Sequence, residues 1–231
     1  MDSVLHTFGD YDLLINANST DVDIVRPIMT GSEYDRYIHI TPEDVWMDAG
    51  GHVGSFPIRY GDNVSKIYCY EPCPINFELI EKNLKRYPRP NVELVQKALV
   101  GTDDETVVLS MSTGKDRSSG SILPYQRRKE LYTVAAANIV DELEDKDDIT
   151  KIKMDIEGAE YECLMAIPID FLRTIDEIVL EYHFSMLHEV GTGEKFYQLM
   201  DHLSMGFSVL EYPSDIKKNW HCVVYGNNLD G

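Results

Sequence analysis

Basic residues are scarce in this chain. Its 231 residues include 21 lysines and arginines against 40 aspartates and glutamates, for a formal net charge of −19. Such a negative surface repels phosphate backbones and anionic membranes, so either partner would require a local basic groove. The densest basic cluster, at residues 127–129, is too small to form one. We therefore expect no nucleic-acid partner and no membrane partner, and the sequence leaves the oligomeric state undetermined.

Cysteines and long apolar runs are also few. The four cysteines (Cys69, Cys73, Cys163 and Cys222) do not form a disulfide framework, and Cys69 and Cys73 lack the second close pair of a zinc site. We expect free thiols in a reducing compartment. No apolar run reaches the length of a membrane span, and the first residues lack the basic start and apolar core of a secretory signal. The expected location is cytoplasmic.

What the chain does contain is a glycine-rich turn between two apolar runs. The first run, residues 45–48, ends in Asp48, and Gly50, Gly51 and Gly54 follow it. A helix-like stretch leads to the second run, residues 66–70, directly before Glu71. A βαβ unit with an acid at each strand end is typical of proteins that bind a nucleoside cofactor.

Alternating apolar and helix-like segments continue through the chain. Further strands are expected at 91–95, 150–154 and 176–182, which indicates an α/β fold with a Rossmann-like, mostly parallel sheet covered on both faces. The last two apolar runs are joined too closely for a crossover, so they predict a C-terminal antiparallel hairpin. Residues 1–40 are expected to be an irregular N-terminal cap, and residues 41–231 a single domain.

Asp48 helps to choose the cofactor. In nicotinamide-binding folds the turn holds a pyrophosphate, which a carboxylate at the strand end would repel. A carboxylate there suits S-adenosylmethionine, which carries a sulfonium and an ammonium, and Glu71 is placed to accept hydrogen bonds from ribose hydroxyls. An NAD(P)-dependent oxidoreductase stays open as an alternative, since Tyr125 and Lys129 have the Tyr-x-x-x-Lys spacing of short-chain dehydrogenases. A turn used only for strand–helix packing is the other alternative.

Together these motifs resemble those of the FkbM family of S-adenosylmethionine-dependent O-methyltransferases. The matching segments are Asp48-Ala-Gly-Gly-His-Val-Gly54, Tyr70-Glu-Pro-Cys-Pro-Ile-Asn76, Lys97-Ala-Leu99, Lys153-Met-Asp-Ile-Glu-Gly-Ala-Glu160 and Glu181-Tyr-His183. The fourth segment is the most specific, and the chain departs from the family at Gly51 and His52, where Ala-Asn is usual. The resemblance implies a class I methyltransferase fold with a seven-stranded sheet. It also implies an acceptor hydroxyl on a sugar, a glycan or a natural product.

The resemblance also implies roles for individual residues. Glu71 would hold the ribose, Ala98 would lie against the adenine, and Asp155 would lie near the transferred methyl group. The full set of expected cofactor-binding residues is Asp48, Ala49, Gly50, Gly51, Gly54, Ser55, Glu71, Pro72, Asn76, Ala98 and Asp155.

Three polar residues follow the later strands. Asp155, Glu181 and His183 fall at carboxyl ends of adjacent predicted strands, where open α/β sheets bind ligands. Methyl transfer to a hydroxyl requires a base or a metal that lowers the hydroxyl pKa. Either His183 is the catalytic base, oriented by the two carboxylates, or all three residues bind Mg²⁺ or Mn²⁺. A module that binds the cofactor without catalysis, and an N- or C-methyltransferase, also stay open.

Overall fold

The computed structural model describes residues 3–112, 120–122, 130–184, 192–212 and 221–228. Tyr125, Lys129 and the basic cluster at 127–129 lie outside the described residues. In chain order the elements are β1 (Ser3–Phe8), β2 (Tyr11–Asn16), α1 (Asp21–Thr30), β3 (Val45–Ala49), α2 (Ser55–Tyr60), a 3-10 turn (Gly61–Asn63), β4 (Lys66–Tyr70), α3 (Pro74–Arg86), β5 (Val92–Val95), β6 (Ala98–Val100), β7 (Thr106–Met111), β8 (Gly120–Ser121), β9 (Glu130–Asn138), α4 (Ile139–Asp145), β10 (Lys151–Met154), α5 (Glu160–Ala166), α6 (Ile169–Leu172), β11 (Glu177–His183), α7 (Thr192–Gly206), β12 (Val209–Glu211) and β13 (His221–Asn227).

Seven strands form the central sheet, in the order β12-β13-β11-β10-β3-β4-β5. β13 runs antiparallel to both of its neighbours, and the other pairs are parallel. The predicted α/β fold is therefore confirmed, including the seven-stranded sheet and the C-terminal antiparallel hairpin. Strands from the middle of the chain form a second, four-stranded sheet, in the order β6-β9-β7-β8.

The central strands are apolar because both of their faces are covered. All five residues of β3 are buried. Met47 belongs to the core cluster that α4, α5 and α7 cover, whereas Trp46 belongs to the cluster that includes Phe56 of α2 and Ile80 of α3. Successive side chains of a strand point to opposite faces of the sheet. A strand that contributes to a core on each face therefore needs consecutive apolar residues. None of the helices in the described ranges is both long and apolar enough to cross a membrane.

The expectation of an irregular start to the chain is wrong. β1 and β2 form an antiparallel hairpin, and helix α1 follows it. Leu13 of β2 and Val25 of α1 pack with Ile58 of α2 and Leu79 of α3 in a separate apolar cluster. The pattern is hard to recognise because four of the six residues of β1 are exposed and Pro27 lies inside α1. The proposed division at residue 40 stays a prediction.

Asn83 fixes this N-terminal hairpin to the rest of the fold. Its side chain is fully buried in α3, where it accepts a hydrogen bond from the backbone N–H of Leu14 at 2.7 Å. Its amide group donates to the carbonyl oxygens of Leu14 and Val53, each at 2.9 Å. A buried amide with these partners is satisfied, and it joins β2 directly to the glycine-rich turn.

Candidate functional site

A cavity lies at the carboxyl ends of β3, β4, β10 and β11. Its empty space is about 890 Å³ when the open mouth is included. The position is the one at which open α/β sheets bind ligands. The acidic, histidine and lysine side chains that line it are Glu71, Asp155, Glu157, Glu181, His52, His183 and Lys97.

Gly50 lets two strand ends meet at the floor of the cavity. Its φ is +87°, and a Cβ built on it would lie 1.8 Å from the carbonyl oxygen of Asp155. Only glycine allows that approach, because any side chain would collide with the backbone. The N–H groups of Gly50 and Gly51 both donate to the carbonyl oxygen of Tyr70, at 3.0 and 2.9 Å. The turn is thereby attached to both neighbouring strands.

Asp48 does not line the cavity. Its carboxylate is fully buried, with Oδ1 3.0 Å from Nζ of Lys153 and Oδ2 accepting from Sγ of Cys69 at 3.3 Å. Lys153 also donates to the carbonyl oxygen of Gly50 at 2.7 Å. The carboxylate therefore stabilises the turn from within the core and does not face the cavity.

The other expected cofactor residues divide into two groups. Gly50, Glu71, Pro72, Asn76, Ala98 and Asp155 are brought together in the cavity wall. Ala49, Gly51, Gly54 and Ser55 are buried in the turn next to Asp48. Direct contact between this second group and the cofactor stays a prediction.

Glu71 is buried at the end of β4 but points into the cavity wall. Its Oε2 accepts the backbone N–H of His52, and its Oε1 accepts the N–H of Cys73, both at 2.8 Å. Burial raises the pKa of this carboxyl to about 6, despite these two hydrogen bonds. Each oxygen keeps a further lone pair, so the carboxylate can still accept hydrogen bonds from a ligand.

His183 is held by a residue that the sequence analysis did not assign. Its Nδ1 lies 3.0 Å from Oε1 of Glu160, which is fully buried. The same oxygen accepts the backbone N–H groups of Ile156 and Gly158, at 3.2 and 2.9 Å. Because this carboxylate oxygen already accepts two N–H groups, we assign the proton of the third contact to Nδ1 of His183. In the sequence, Glu160 is recognisable as the last Glu of the Lys-x-Asp-x-Glu-Gly-Ala-Glu segment.

The second nitrogen of His183 faces the other two expected catalytic residues. Its Nε2 lies 3.6 Å from Oε1 of Glu181 and 3.9 Å from Oδ1 of Asp155. Burial, together with the charge of Glu181, raises the pKa of Asp155 to about 7. Burial acts to lower the pKa of His183, but the nearby carboxylates outweigh it and raise the pKa well above its ordinary value. The protonation states of Asp155 and His183 therefore depend on one another, in a cavity with an excess of negative charge.

The predicted metal site is not supported by this arrangement. Within the described ranges, no group of three or more His, Cys, Asp or Glu side chains is arranged to hold a metal ion. Cys69, Cys73 and Cys163 are buried free thiols, as expected, while the side chain of Cys222 lies outside the described residues.

Sequence comparison decides between the remaining cofactors. A sequence model of the methyltransferase FkbM domain matches residues 48–209, which is more than half of the chain. The chain belongs to the FkbM methyltransferase family. Membership makes it an S-adenosylmethionine-dependent methyltransferase and decides against the NAD(P)-dependent oxidoreductase. A comparison with curated proteins found no match.

Solved structures support the same fold for this FkbM methyltransferase. M. jannaschii TYW2 in complex with AdoMet has a TM-score of 0.53 and 13% identity over 97% of this chain and 84% of that chain. Methyltransferase FkbM from Methylobacillus flagellatus has a TM-score of 0.53 and 14% identity, over 91% and 55%. Trm5b from Pyrococcus abyssi has a TM-score of 0.50 and 11% identity, over 97% and 55%. At these identities the likeness shows the class I methyltransferase fold alone, and this chain spans about half the length of the last two.

The raised pKa of Glu71 predicts a pH dependence of ligand binding by this FkbM methyltransferase. The family resemblance predicts that Glu71 holds the ribose; the ribose hydroxyls would then donate to the ionised carboxylate, and protonation of Glu71 would compete with binding. We expect the affinity for S-adenosylhomocysteine to fall as the pH is lowered through about 6, by up to about tenfold per unit. Calorimetric titrations between neutral and acidic pH measure this loss. Glu71→Gln should bind more weakly and lose that pH-dependent step; a step of equal size in the variant would contradict the prediction.

Proposed function

We propose that the protein transfers a methyl group from S-adenosylmethionine to a hydroxyl of a small polar acceptor, in the class of sugars, glycans and natural products. The observation that carries this proposal is His183, whose Nδ1 is held by Glu160 while its Nε2 faces Glu181 and Asp155 at the cavity. A hydroxyl has to lose its proton during the transfer, so it requires a base within hydrogen-bond reach.

Glu71 and the apolar wall beside it support the assignment of the cofactor site. The two oxygens of Glu71 each accept one backbone N–H, which leaves lone pairs for the two ribose hydroxyls. Ala98, Leu99 and Ile122 supply an apolar surface of the kind that an adenine ring requires. The excess of carboxylates suits a ligand that carries positive charge.

His183 and Asp155 supply the proton acceptors. When bound, S-adenosylmethionine supplies an electrophilic methyl group on a positively charged sulfur and leaves as S-adenosylhomocysteine. Positive charge in the cavity lowers the pKa of both Asp155 and His183. Both residues are thereby shifted towards the deprotonated form, which can accept a proton. His183 then takes the proton of the acceptor hydroxyl at Nε2, and the carboxylate of Glu160 stabilises the imidazolium that results.

The charge of the cavity favours a neutral acceptor that donates hydrogen bonds. Glu157 and Glu181 line the cavity near His183, and carboxylates accept hydrogen bonds from hydroxyls. Of the lining residues within the described ranges, Lys97 alone is a lysine or arginine. An acceptor that carries phosphates, such as a nucleic acid, would meet repulsion both here and from the net charge of −19.

Calorimetry with S-adenosylhomocysteine, followed by a transfer assay, tests the proposal. We expect binding that is the same with and without Mg²⁺ or Mn²⁺, and a methyl ether on a neutral sugar or polyol when a panel is incubated with S-adenosylmethionine. Mass spectrometry of the products locates the methyl group. Failure to bind S-adenosylhomocysteine would reject the cofactor site. Binding without transfer to any acceptor would favour the non-catalytic module, methyl groups on nitrogen or carbon would reject O-methylation, and transfer only with added metal would favour the metal mechanism.

A further inference from the structure

A buried ion pair joins the N-terminal segment to the cavity wall. Asp21, the first residue of α1, is fully buried, and its Oδ1 lies 3.4 Å from Nε2 of His52. Its Oδ2 accepts the backbone N–H of Asn16 at 2.8 Å and the side-chain amide of Asn16 at 3.0 Å. The position of Asp21 is thus fixed by β2, and a buried carboxylate requires such partners to remain ionised.

The charges on the two groups stabilise each other. Burial acts to raise the pKa of Asp21, but the nearby His52 and the backbone N–H of Asn16 outweigh it and lower the pKa. Burial acts in the opposite direction on His52, and Asp21 and Glu71 outweigh it, so the pKa of His52 is raised. The carboxylates of Asp21 and Glu71 therefore both favour the protonated form of His52.

His52 also positions Glu71 through its backbone. Its φ is +52°, a left-handed conformation that suits asparagine better than histidine. In this conformation the His52 N–H donates to Oε2 of Glu71 at 2.8 Å. A histidine at such a position is explained if its side chain has a task, and its partner in the structure is Asp21.

Two further contacts place the same segment at the cavity. Ile24, one turn after Asp21 in α1, itself lines the cavity. The side-chain amide of Asn16 donates to Oδ1 of Asn76, another lining residue, at 3.2 Å. The N-terminal segment therefore reaches the cavity wall at three points.

We propose that Asn16, Asp21 and Ile24 of the N-terminal segment form part of the cofactor site and that Asp21 is a positioning residue that acts through His52 on the carboxylate of Glu71. Asp21 binds the His52 side chain next to β2. This contact stabilises the turn in the conformation in which the backbone N–H of His52 orients Glu71. The proposal rests on the proposed function, in which Glu71 holds the cofactor ribose. It assigns these three residues to ligand binding and not to a passive cover.

A double-mutant cycle read by the affinity for S-adenosylhomocysteine tests the proposal. The proteins are the unmodified chain, Asp21→Asn, Glu71→Gln and the double variant, with Asp23→Asn as the control. Asp21→Asn keeps the size of the side chain and an oxygen that can accept from Asn16. Asp23 is exposed on the same helix, and Asp23→Asn removes the same charge. We expect Asp21→Asn to weaken binding about tenfold and Asp23→Asn to leave it unchanged. The double variant should bind no more weakly than Glu71→Gln alone, because residues that act through one another are not additive.

A second variant keeps the test decisive if Asp21→Asn does not fold. His52→Asn suits the left-handed conformation and keeps the backbone N–H but loses the ion pair, so it should show a loss similar to that of Asp21→Asn. Losses that add in the double variant, or unchanged affinity in His52→Asn, would overturn the inference while leaving the proposed function intact. If the unmodified chain does not bind S-adenosylhomocysteine, the proposed function itself is wrong. Melting temperatures of all variants, measured without ligand, separate loss of binding from loss of fold.

Discussion

Replacing His183 with alanine is expected to lower the rate of methyl transfer by about 10²–10⁴-fold, the usual contribution of a general base. The affinity for S-adenosylhomocysteine should change little, because in the proposed mechanism His183 takes the proton of the acceptor hydroxyl, whereas Glu71 holds the ribose. Glu160→Gln should also lower the rate, since its amide can no longer stabilise the imidazolium at Nδ1. The measurements are the transfer rate with an acceptor found in the panel and the affinity from calorimetry, on the same protein preparations.

An exposed histidine supplies the control for this experiment. The side chain of His39 is 74% exposed, so His39→Ala should leave both the rate and the affinity unchanged. Transfer by His183→Ala at the rate of the unmodified protein would show that His183 is not the base. A loss of affinity without a loss of rate would instead make His183 a binding residue. Asp155→Asn tests whether Asp155 takes the proton instead of His183, because it removes the carboxylate whose pKa is about 7.

The convergence of the candidate catalytic residues could be predicted from the sequence. Asp155 follows β10, and Glu181 and His183 end β11; these strands are parallel neighbours in the sheet. The carboxyl ends of parallel strands meet at one edge, so finding the strands is enough to place the residues together. Glu71 is placed by the same argument after β4. The periodicity of the chain therefore identifies the edge of the sheet where chemistry can occur.

The pairing of buried charges could not be predicted in this way. Whether Asp48 faces the ligand or the core depends on which side chain lies opposite it, and Lys153 occupies that place in the parallel register of β3 and β10. Asp21 and His52 meet only because the N-terminal hairpin folds against α2 and α3. Such partners belong to tertiary structure, and strand patterns carry no information about them.

Lys153→Met is expected to lower the free energy of unfolding by about 3–5 kcal/mol, because it leaves a buried carboxylate without its counter-ion. Lys153 and Asp48 are 3% and 0% exposed, and Cys69 supplies only a weak hydrogen bond to the carboxylate. Urea denaturation measures the change, with an unaltered slope showing that the same surface unfolds. Lys66→Met is the matched control: Lys66 pairs with Glu93 at 3.0 Å on the surface, and its loss should lower stability by less than about 1 kcal/mol.

A third variant separates the effect of charge from that of packing. Asp48→Asn added to Lys153→Met removes the unpaired charge, so the double variant should be more stable than Lys153→Met alone. If the two lysine variants lose equal stability, the buried pair is no stronger than a surface pair. If the double variant is the least stable, the polar contacts of the pair matter more than its charge. Recovery in the double variant would show that Asp48 and Lys153 hold the glycine-rich turn through their opposite charges, since Lys153 donates to Gly50 from the same position.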